Sequence, residues 1–166
     1  KYPPGSTFKS INALIGLQEE VLTPTTLYSC RNGYYSGRFH MGCHSHKSPV
    51  NLEFSIQTSC NPYYSNVFRS IIDKYPTAEE GYDVWRNYVL NFGLGKKTNI
   101  DLPNELSGFV PEKEYYDRYY RKGSWNSLTI VSLAIGQGEL GFTPMQMANM
   151  TATIANRGYH LTPHIV

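Results

Sequence analysis

The chain has 166 residues, enough for one domain with a real core, and its 15 lysines and arginines against 13 acidic residues leave a net charge of +2. No basic run stands out, so nucleic acid is excluded as an expected partner. No apolar stretch approaches the roughly 18 residues that span a bilayer, and no signal-peptide pattern is present, so membrane contact is not encoded in these residues.

The first predicted element is a buried helix that opens on a serine and a lysine three residues apart. The segment from Ser6 to about Glu20 is apolar on most of its circumference. A serine hydroxyl needs a base within hydrogen-bond reach to act as a nucleophile, and Lys9, one helical turn after Ser6, can serve if burial lowers its pKa. Taken alone, the tetrapeptide favours a capped helix with a solvated lysine.

A segment rich in cysteine and histidine follows the first helix. Residues 27–49 carry Gly, Ser, Tyr, Cys and His without helical period, which predicts an irregular loop. Three cysteines and a histidine suit tetrahedral zinc, and such a loop would gain order from a metal. One disulfide with a free thiol, or simply buried thiols, is the competing interpretation. The candidate ligands are Cys30, Cys43, His46 and Cys60, with His46 preferred to His40 and His44 because Cys-x-x-His is a common ligand spacing.

The next two predicted helices enclose a second polar motif. One helix runs from Asn51 to Thr58, and another runs to about Asp73 with Asn61 as its N-cap and Pro62 in its first position. Ser59 and Asn61 would then lie in a helix–helix turn with side chains free to point into a cleft. The alternative is that Asn61 is a cap and nothing more.

The remaining elements are mostly helical. Helices are predicted over Glu79–Phe92, Pro111–Tyr120 and Pro144–Asn156, the last capped by Thr143. An apolar run over 129–135 leads into Gly136-Gln137-Gly138. The sequence Lys97-Thr98-Asn99 lies among glycines and is predicted to be a surface connection without a catalytic role.

Four segments, in this order and spacing, resemble the transpeptidase domain of class B penicillin-binding proteins, and within that class most resemble the elongation-type penicillin-binding protein 2. The first two carry the serine–lysine pair and the motif Ser59-Cys60-Asn61. The segments are residues 2–9, residues 59–64, residues 92–95 with 100–103, and residues 135–138 with 143–148.

The resemblance implies a role for each motif residue. Ser6 would attack the D-Ala-D-Ala carbonyl of a peptidoglycan stem peptide and form an acyl-enzyme, with Lys9 taking the serine proton. Ser59 would relay a proton to the leaving amine, Asn61 would hold the substrate amide, and Gln137 would contact substrate. An amine from a neighbouring stem then attacks the ester to form the cross-link, whereas β-lactams would trap Ser6 as a stable ester.

The resemblance also implies a fold class and a boundary. Residues 1–166 would be a single, partial transpeptidase domain: the mainly α part of an α/β, β-lactamase-like serine acyltransferase fold, with most of its five-stranded antiparallel sheet outside the chain. The chain begins at Lys1, and no K-T-G motif on a strand after the last helix appears by Val166. A fragment of a larger protein is therefore expected, with poor catalysis on its own, because an oxyanion-hole donor typically contributes about 10² to 10³ in rate.

Cofactors, partners and location follow from the resemblance as well. Catalysis would require no cofactor, and a structural zinc near the second motif is known in some elongation-type members. Expected partners are peptidoglycan stem peptides, β-lactams and, through the parent protein, the membrane glycosyltransferase of the elongation machinery that sets cell shape. The expected location is the periplasmic face of the bacterial inner membrane, with an N-terminal anchor outside these residues.

Two alternatives of other classes remain at this point. One is a related serine acylase that hydrolyses its ester, either a β-lactamase or a β-lactam sensor domain. The other is a non-catalytic, zinc-stapled interaction module in which Ser6 and Lys9 are incidental. The Gly-Gln-Gly segment and the absence of an evident deacylation base favour the transpeptidase, and substitution of Ser6 separates the binding module from both acylases.

Overall fold

The computed structural model describes residues 1–165. A 3₁₀ helix over Gly5–Phe8 leads directly into the first α-helix, and a second 3₁₀ helix spans Val131–Ile135. The α-helices are α1 (Lys9–Gln18), α2 (Leu52–Gln57), α3 (Asn61–Asp73), α4 (Ala78–Asn91), α5 (Lys113–Tyr120) and α6 (Pro144–Ala155), and the strands are β1 (Gly33–Ser36) and β2 (Phe39–Gly42). No helix among the described residues is long and apolar enough to span a bilayer.

The core forms where α1 and α3 pack against α4 and the second 3₁₀ helix. Trp85 of α4 lies at its centre, with its ring centroid 5.3 Å from that of Phe68 and 6.0 Å from that of Phe8. All three aromatic side chains are fully buried. Since Phe8 lies between Ser6 and Lys9 in the chain, this packing anchors the first motif to the core.

The segment predicted to be irregular contains a β-hairpin, which corrects that expectation. Strands β1 and β2 pair antiparallel, from Gly33 opposite Gly42 to Ser36 opposite Phe39. The turn between them uses Gly37 with φ of +57°, a conformation that glycine adopts without steric penalty. Four-residue strands are too short for a clear alternation of apolar and polar side chains, so the sequence pattern did not reveal them.

The helix boundaries differ from the prediction at one position of the site. Helix α3 begins at Asn61 itself, and Cys60 is the N-cap residue without a side-chain hydrogen bond to the helix. The predicted cap role of Asn61 is therefore wrong, and its amide is available for other contacts. The predicted cap of α6 is confirmed: Thr143 Oγ1 accepts from the backbone N–H of Gln146, whose side chain accepts from the N–H of Thr143 in return.

Candidate active site

Ser6 lies exposed in the 3₁₀ helix at the entrance to α1. The preceding residue, Gly5, donates its N–H to the carbonyl of Gly136 at 2.9 Å. Gly136 has φ of +69°, and a Cβ there would press on the Gly5 carbonyl and on Phe8 Cβ at 2.8 Å. This close backbone contact holds the residue before the candidate nucleophile in place.

Lys9 begins α1 and is only 4% exposed. Its Nζ donates to the Ser59 carbonyl at 2.6 Å, to Ser59 Oγ at 2.8 Å and to Asn61 Oδ1 at 2.6 Å. An ammonium has three N–H donors, so all three are used. Ser59 and Asn61 of the second motif thus accept all the hydrogen bonds that the buried Lys9 can donate, and they hold its amine in one position.

The protonation of Lys9 is shifted by its surroundings. Burial lowers the pKa of Lys9 to about 8, and electrostatic interaction with the side chains of Cys43 and Cys60 opposes that change. Burial disfavours the charged amine because it removes water from the ammonium. A substantial fraction of Lys9 is therefore neutral in mildly alkaline solution, and a neutral amine has a lone pair with which to accept a proton.

Ser59 faces Lys9 through an uncommon backbone conformation. Helix α2 ends at Gln57, two residues before Ser59, and Ser59 has a φ of +52°, in the left-handed region. For a residue with a Cβ, that conformation disfavours the fold by about 1 kcal/mol or more. In this conformation both the carbonyl and the hydroxyl of Ser59 lie within hydrogen-bond distance of Lys9 Nζ.

Asn61 is held at both ends of its amide. Its Oδ1 accepts from Lys9, and its Nδ2 donates to the carbonyl of Gly42, at the end of β2, at 2.7 Å. The backbone N–H of Asn61 donates to Cys43 Sγ at 3.4 Å. The amide orientation is thus determined by a lysine on one side and a backbone carbonyl on the other.

The predicted site residues are not all in mutual contact. Lys9, Ser59 and Asn61 form one hydrogen-bonded group, whereas none of the hydrogen bonds found within residues 1–165 joins Ser6 to Lys9. Gln137 is exposed and follows Gly136, whose carbonyl accepts from Gly5. The segment that carries Gln137 is therefore tied to the segment that carries Ser6.

The predicted metal ligands come together behind the second motif. The ligand atoms of Cys30, Cys43, His46 and Cys60 all lie within 4.8 Å of one another, and Cys43 Sγ is 3.6 Å from His46 Nε2. Tetrahedral zinc, with bonds of about 2.0 to 2.3 Å, spaces its ligand atoms by roughly 3.4 to 3.8 Å. The rejected histidines lie elsewhere: His40 stacks on Tyr35 and His44 is exposed.

The chemistry of this donor set fits zinc. His46 Nδ1 lies 2.8 Å from the Lys47 carbonyl. Because a carbonyl only accepts, that contact assigns the proton to Nδ1 and leaves a lone pair on Nε2 for a metal. Burial raises the pKa of Cys30 and raises that of Cys60 to about 12, so both are thiols until a metal displaces their protons. None of the three cysteines forms a disulfide.

Two supporting residues were not identified from the sequence. Gly42 acts through a backbone carbonyl, which carries no side-chain signal. Asn12, fully buried on α1, accepts from Trp85 Nε1 at 2.7 Å and donates to the Ala134 carbonyl at 2.9 Å. A polar residue on an otherwise apolar helix face was the available signal, since buried amides are kept only where they are hydrogen-bonded.

The fold and the site define a class of protein. The sequence matches the penicillin binding protein transpeptidase domain over residues 1–166, and the chain belongs to that family. Its mainly helical structure with a two-stranded sheet is part of that α/β fold, as the sequence predicted.

Individual relatives of this chain include peptidoglycan D,D-transpeptidases named MrdA and penicillin-binding proteins named PBP2. The peptidoglycan D,D-transpeptidase MrdA of Acinetobacter baumannii is 35% identical over 175 aligned residues, covering 99% of this chain and 24% of that protein. Penicillin-binding protein 2 of Pseudomonas aeruginosa, solved with WCK 5153, has a TM-score of 0.83 at 31% identity, covering 98% of this chain and 36% of that one. The Helicobacter pylori protein in complex with MreC has a TM-score of 0.80 at 28% identity, with coverage of 98% and 29%.

The chain thus spans about a quarter of the length of the MrdA relative.

Proposed function

We propose that this chain belongs to a peptidoglycan D,D-transpeptidase that cross-links stem peptides through an acyl-enzyme on Ser6. The observation that carries the proposal is the buried Lys9, one turn after Ser6, with its amine held by Ser59 and Asn61 at 2.6 to 2.8 Å. A structural role does not require a buried lysine with a lowered pKa, whereas activation of a serine does.

In the proposed reaction, Lys9 in its neutral form accepts the proton of Ser6 as the oxygen attacks the D-Ala-D-Ala carbonyl. Ser59 Oγ, already within 2.8 Å of Lys9 Nζ, relays that proton to the departing amine of D-alanine. The amide of Asn61 positions the substrate peptide, and Gln137 contacts the substrate at the mouth of the site. An amine of a second stem peptide then displaces Ser6 from the ester.

The K-T-G strand expected in this family would supply the oxyanion-hole donor and the groups that receive the substrate carboxylate. Residues 1–166 contain the serine, lysine and Ser-Cys-Asn motifs but no K-T-G sequence. The proposed activity is therefore that of the whole protein, and residues 1–166 are proposed as one partial domain of it.

A structural zinc ion is proposed on Cys30, Cys43, His46 and Cys60. Its chemistry would be that of a staple, because four protein ligands leave no open position for substrate. The ion would join the residues that flank the hairpin to the start of α3. No step of the proposed acyl transfer passes through it, and catalysis needs no other cofactor.

The proposed partners follow from the relatives. The MreC complex of the H. pylori protein supports assembly of the whole protein with a second protein. A membrane glycosyltransferase of the elongation machinery, stem peptides and β-lactams are proposed as partners from membership of the family, and the P. aeruginosa relative is solved in complex with WCK 5153. A periplasmic position at the inner membrane, through an anchor outside these residues, is proposed on the same basis.

The test is an intact mass measurement after incubation of the whole protein with benzylpenicillin. A penicilloyl adduct on the wild-type protein is expected, because the β-lactam carbonyl is attacked by Ser6 and its ring-opened product cannot leave. Ser6→Ala should gain no mass. The matched control is Ser10→Ala, a serine of the same helix whose hydroxyl only donates to the Thr7 carbonyl.

An adduct that persists in Ser6→Ala would place the nucleophile elsewhere. A folded wild-type protein that gains no mass would refute acyl transfer at this site. Rapid loss of the adduct with release of penicilloic acid would identify a hydrolase rather than a transpeptidase.

A further inference from the structure

The candidate zinc ligands and the candidate catalytic residues share two short stretches of chain. Cys60 stands between Ser59 and Asn61, and Cys43 directly follows Gly42, whose carbonyl accepts from Asn61. A metal bound by the cysteines would therefore act on the residues on either side of them. The inference drawn from this arrangement rests on the proposed function and concerns how that site is controlled.

The Gly42 carbonyl and Lys9 together fix which way the Asn61 amide faces. Rotation of the amide by half a turn would exchange Oδ1 and Nδ2 and aim two N–H donors at Lys9, which is itself a donor. The bond from Nδ2 to the Gly42 carbonyl at 2.7 Å prevents that rotation. The Gly42 carbonyl thus reinforces the orientation in which Asn61 accepts from Lys9.

The position of Gly42 depends on few other contacts. It ends a two-stranded sheet of four-residue strands that is supported by packing on α3, since a two-stranded sheet by itself is marginally stable. Gly42 is exposed, and Cys43 donates its N–H to the Asn32 carbonyl at 2.9 Å. After Cys43 the chain runs to Pro49 without a helix or strand. A metal ion coordinated by Cys43 together with Cys30 and Cys60 would be the strongest link between this end of β2 and the start of α3.

We propose that a thiophilic divalent cation on Cys30, Cys43, His46 and Cys60 sets the position of Gly42, and through it the orientation of the Asn61 amide against Lys9. Gly42 and Cys43 are positioning residues in this scheme. Metal loading then controls the rate of Ser6 acylation and does not act on stability alone.

The test uses the whole protein with Zn²⁺ bound, stripped by a chelator, and reloaded. Metal content is measured by elemental analysis, folding by circular dichroism, and acylation by the rate of labelling with a fluorescent penicillin. We expect about one Zn²⁺ per chain, and an acylation rate per folded molecule that falls at least about tenfold on stripping and returns on reloading.

Asn61→Ala distinguishes positioning from mere stabilisation. If the metal acts through Asn61, stripping should change the already low acylation rate of this variant by less than about twofold, because the two effects share one route. By linkage, Asn61→Ala should also weaken Zn²⁺ binding in competition with a chromogenic chelator. Asn66→Ala is the matched control, since Asn66 lies on the same helix and donates only to the Pro62 carbonyl.

A second variant covers the case in which the stripped protein unfolds. Cys30→Ser removes a thiolate that has no contact with Asn61, so its acylation rate should fall at limiting Zn²⁺ and rise as Zn²⁺ is added, with the fold retained. His44→Ala, on the same loop but outside the cluster, should retain wild-type metal content and acylation rate.

Three results would overturn the proposal. They are a protein that binds no Zn²⁺, a stripped and folded protein that acylates at the loaded rate, and an Asn61→Ala variant that loses as much rate on stripping as the wild type. In all three, Ser6 labelling of the wild type remains and the proposed acyl transfer survives, whereas a protein that binds no Zn²⁺ would also refute the proposed structural zinc. Absence of labelling in every metal state would refute both.

Discussion

At the scale of single residues, the site depends on one buried cation. Lys9 is surrounded by oxygen acceptors of Ser59 and Asn61, which stabilise its charged form, while burial favours the neutral one. Burial is the largest effect and lowers the pKa to about 8, against the opposing electrostatic effect of Cys43 and Cys60. The residue is thus close to the point at which it can exchange a proton near neutral pH.

The acylation rate of the whole protein should therefore rise with pH. Only neutral Lys9 can accept the Ser6 proton, so the rate should increase roughly tenfold or more between about pH 6.5 and 8.5 and level off above the pKa. The measurement is the rate of labelling by a fluorescent penicillin across this range.

Substitution checks that Lys9 is the group that titrates. Lys9→Arg keeps the charge but cannot lose its proton, so the rate should fall by about 10² to 10⁴ and lose this pH dependence. Lys122→Arg, at an exposed position, should follow the wild-type profile. A wild-type rate that does not change with pH would contradict a base at Lys9.

At the scale of elements, the first motif is positioned by a backbone contact rather than by side chains. The 3₁₀ helix at Gly5–Phe8 meets the turn after the second 3₁₀ helix, where the Gly5 carbonyl lies too close to Gly136 for a Cβ on Gly136. Helix α1 is further tied to the same region by Asn12, which donates to the Ala134 carbonyl. The geometry of the Ser6 segment therefore depends on residues about 130 positions away in sequence, from Ser6 to Gly136.

Gly136→Ala should damage both stability and acylation. The new Cβ would collide with Gly5 and Phe8 and would strain a backbone with φ of +69°, so we expect a loss of about 2 to 4 kcal/mol in unfolding free energy. Displacement of Ser6 should also lower the acylation rate of the folded fraction. Chemical denaturation and penicillin labelling measure the two effects.

The matched control is Gly37→Ala in the hairpin turn. Gly37 has φ of +57° but no atom within 4 Å of a built Cβ, so only the conformational penalty of about 1 kcal/mol applies. Acylation should be unchanged in this variant. Equal losses in the two variants would mean that the contact between Gly136 and Gly5 has no importance of its own.

At the scale of the whole molecule, a buried carboxylate joins the ends of three helices. Glu19, at the end of α1, accepts from Tyr75 at 2.7 Å and from Lys74 at 3.0 Å, both just beyond α3, and from Tyr88 of α4 at 2.8 Å. Burial acts to raise the pKa of Glu19, but these hydrogen bonds outweigh it and hold the pKa below the ordinary value of 4.5. Folding therefore stabilises the charged form of the Glu19 carboxylate.

The stability of the fold should fall in acid for this reason. A lowered carboxyl pKa means that the unfolded chain binds more protons, so the contribution of Glu19 is complete above about pH 4.5 and is lost as the pH falls through its folded value. Glu19→Gln should lose about 1 to 3 kcal/mol at neutral pH, because a neutral amide accepts more weakly. The unfolding free energy of Glu19→Gln should also change less with pH below pH 5 than that of the wild type.

Denaturant titrations at several pH values provide the measurement. Glu20→Gln is the control. Glu20 is the exposed neighbour of Glu19, so its substitution should leave the loss of unfolding free energy in acid as it is in the wild type. A Glu19→Gln variant as acid-sensitive as the wild type would assign the loss of stability to other carboxyls.

The sequence by itself determined the local features of this protein. Apolar patterning, caps and prolines predicted each α-helix found within residues 1–165, and Thr143 with Pro144 fixed the start of α6, because helix propensity and capping act over a few residues. The spacing of its motifs indicated the transpeptidase family, which the family comparison confirmed. The spacing of Cys43 and His46 also selected the histidine that joins the three cysteines.

Only the tertiary structure decided how these pieces act on one another. It changed Asn61 from a predicted cap into a residue held between Lys9 and Gly42, and it brought Gly136 against Gly5. Backbone carbonyls and close glycine contacts leave no signature in side-chain chemistry, and their partners are distant in sequence. Such contacts exist only once the core of α1, α3 and α4 has packed, so physical proximity and not pattern determines them.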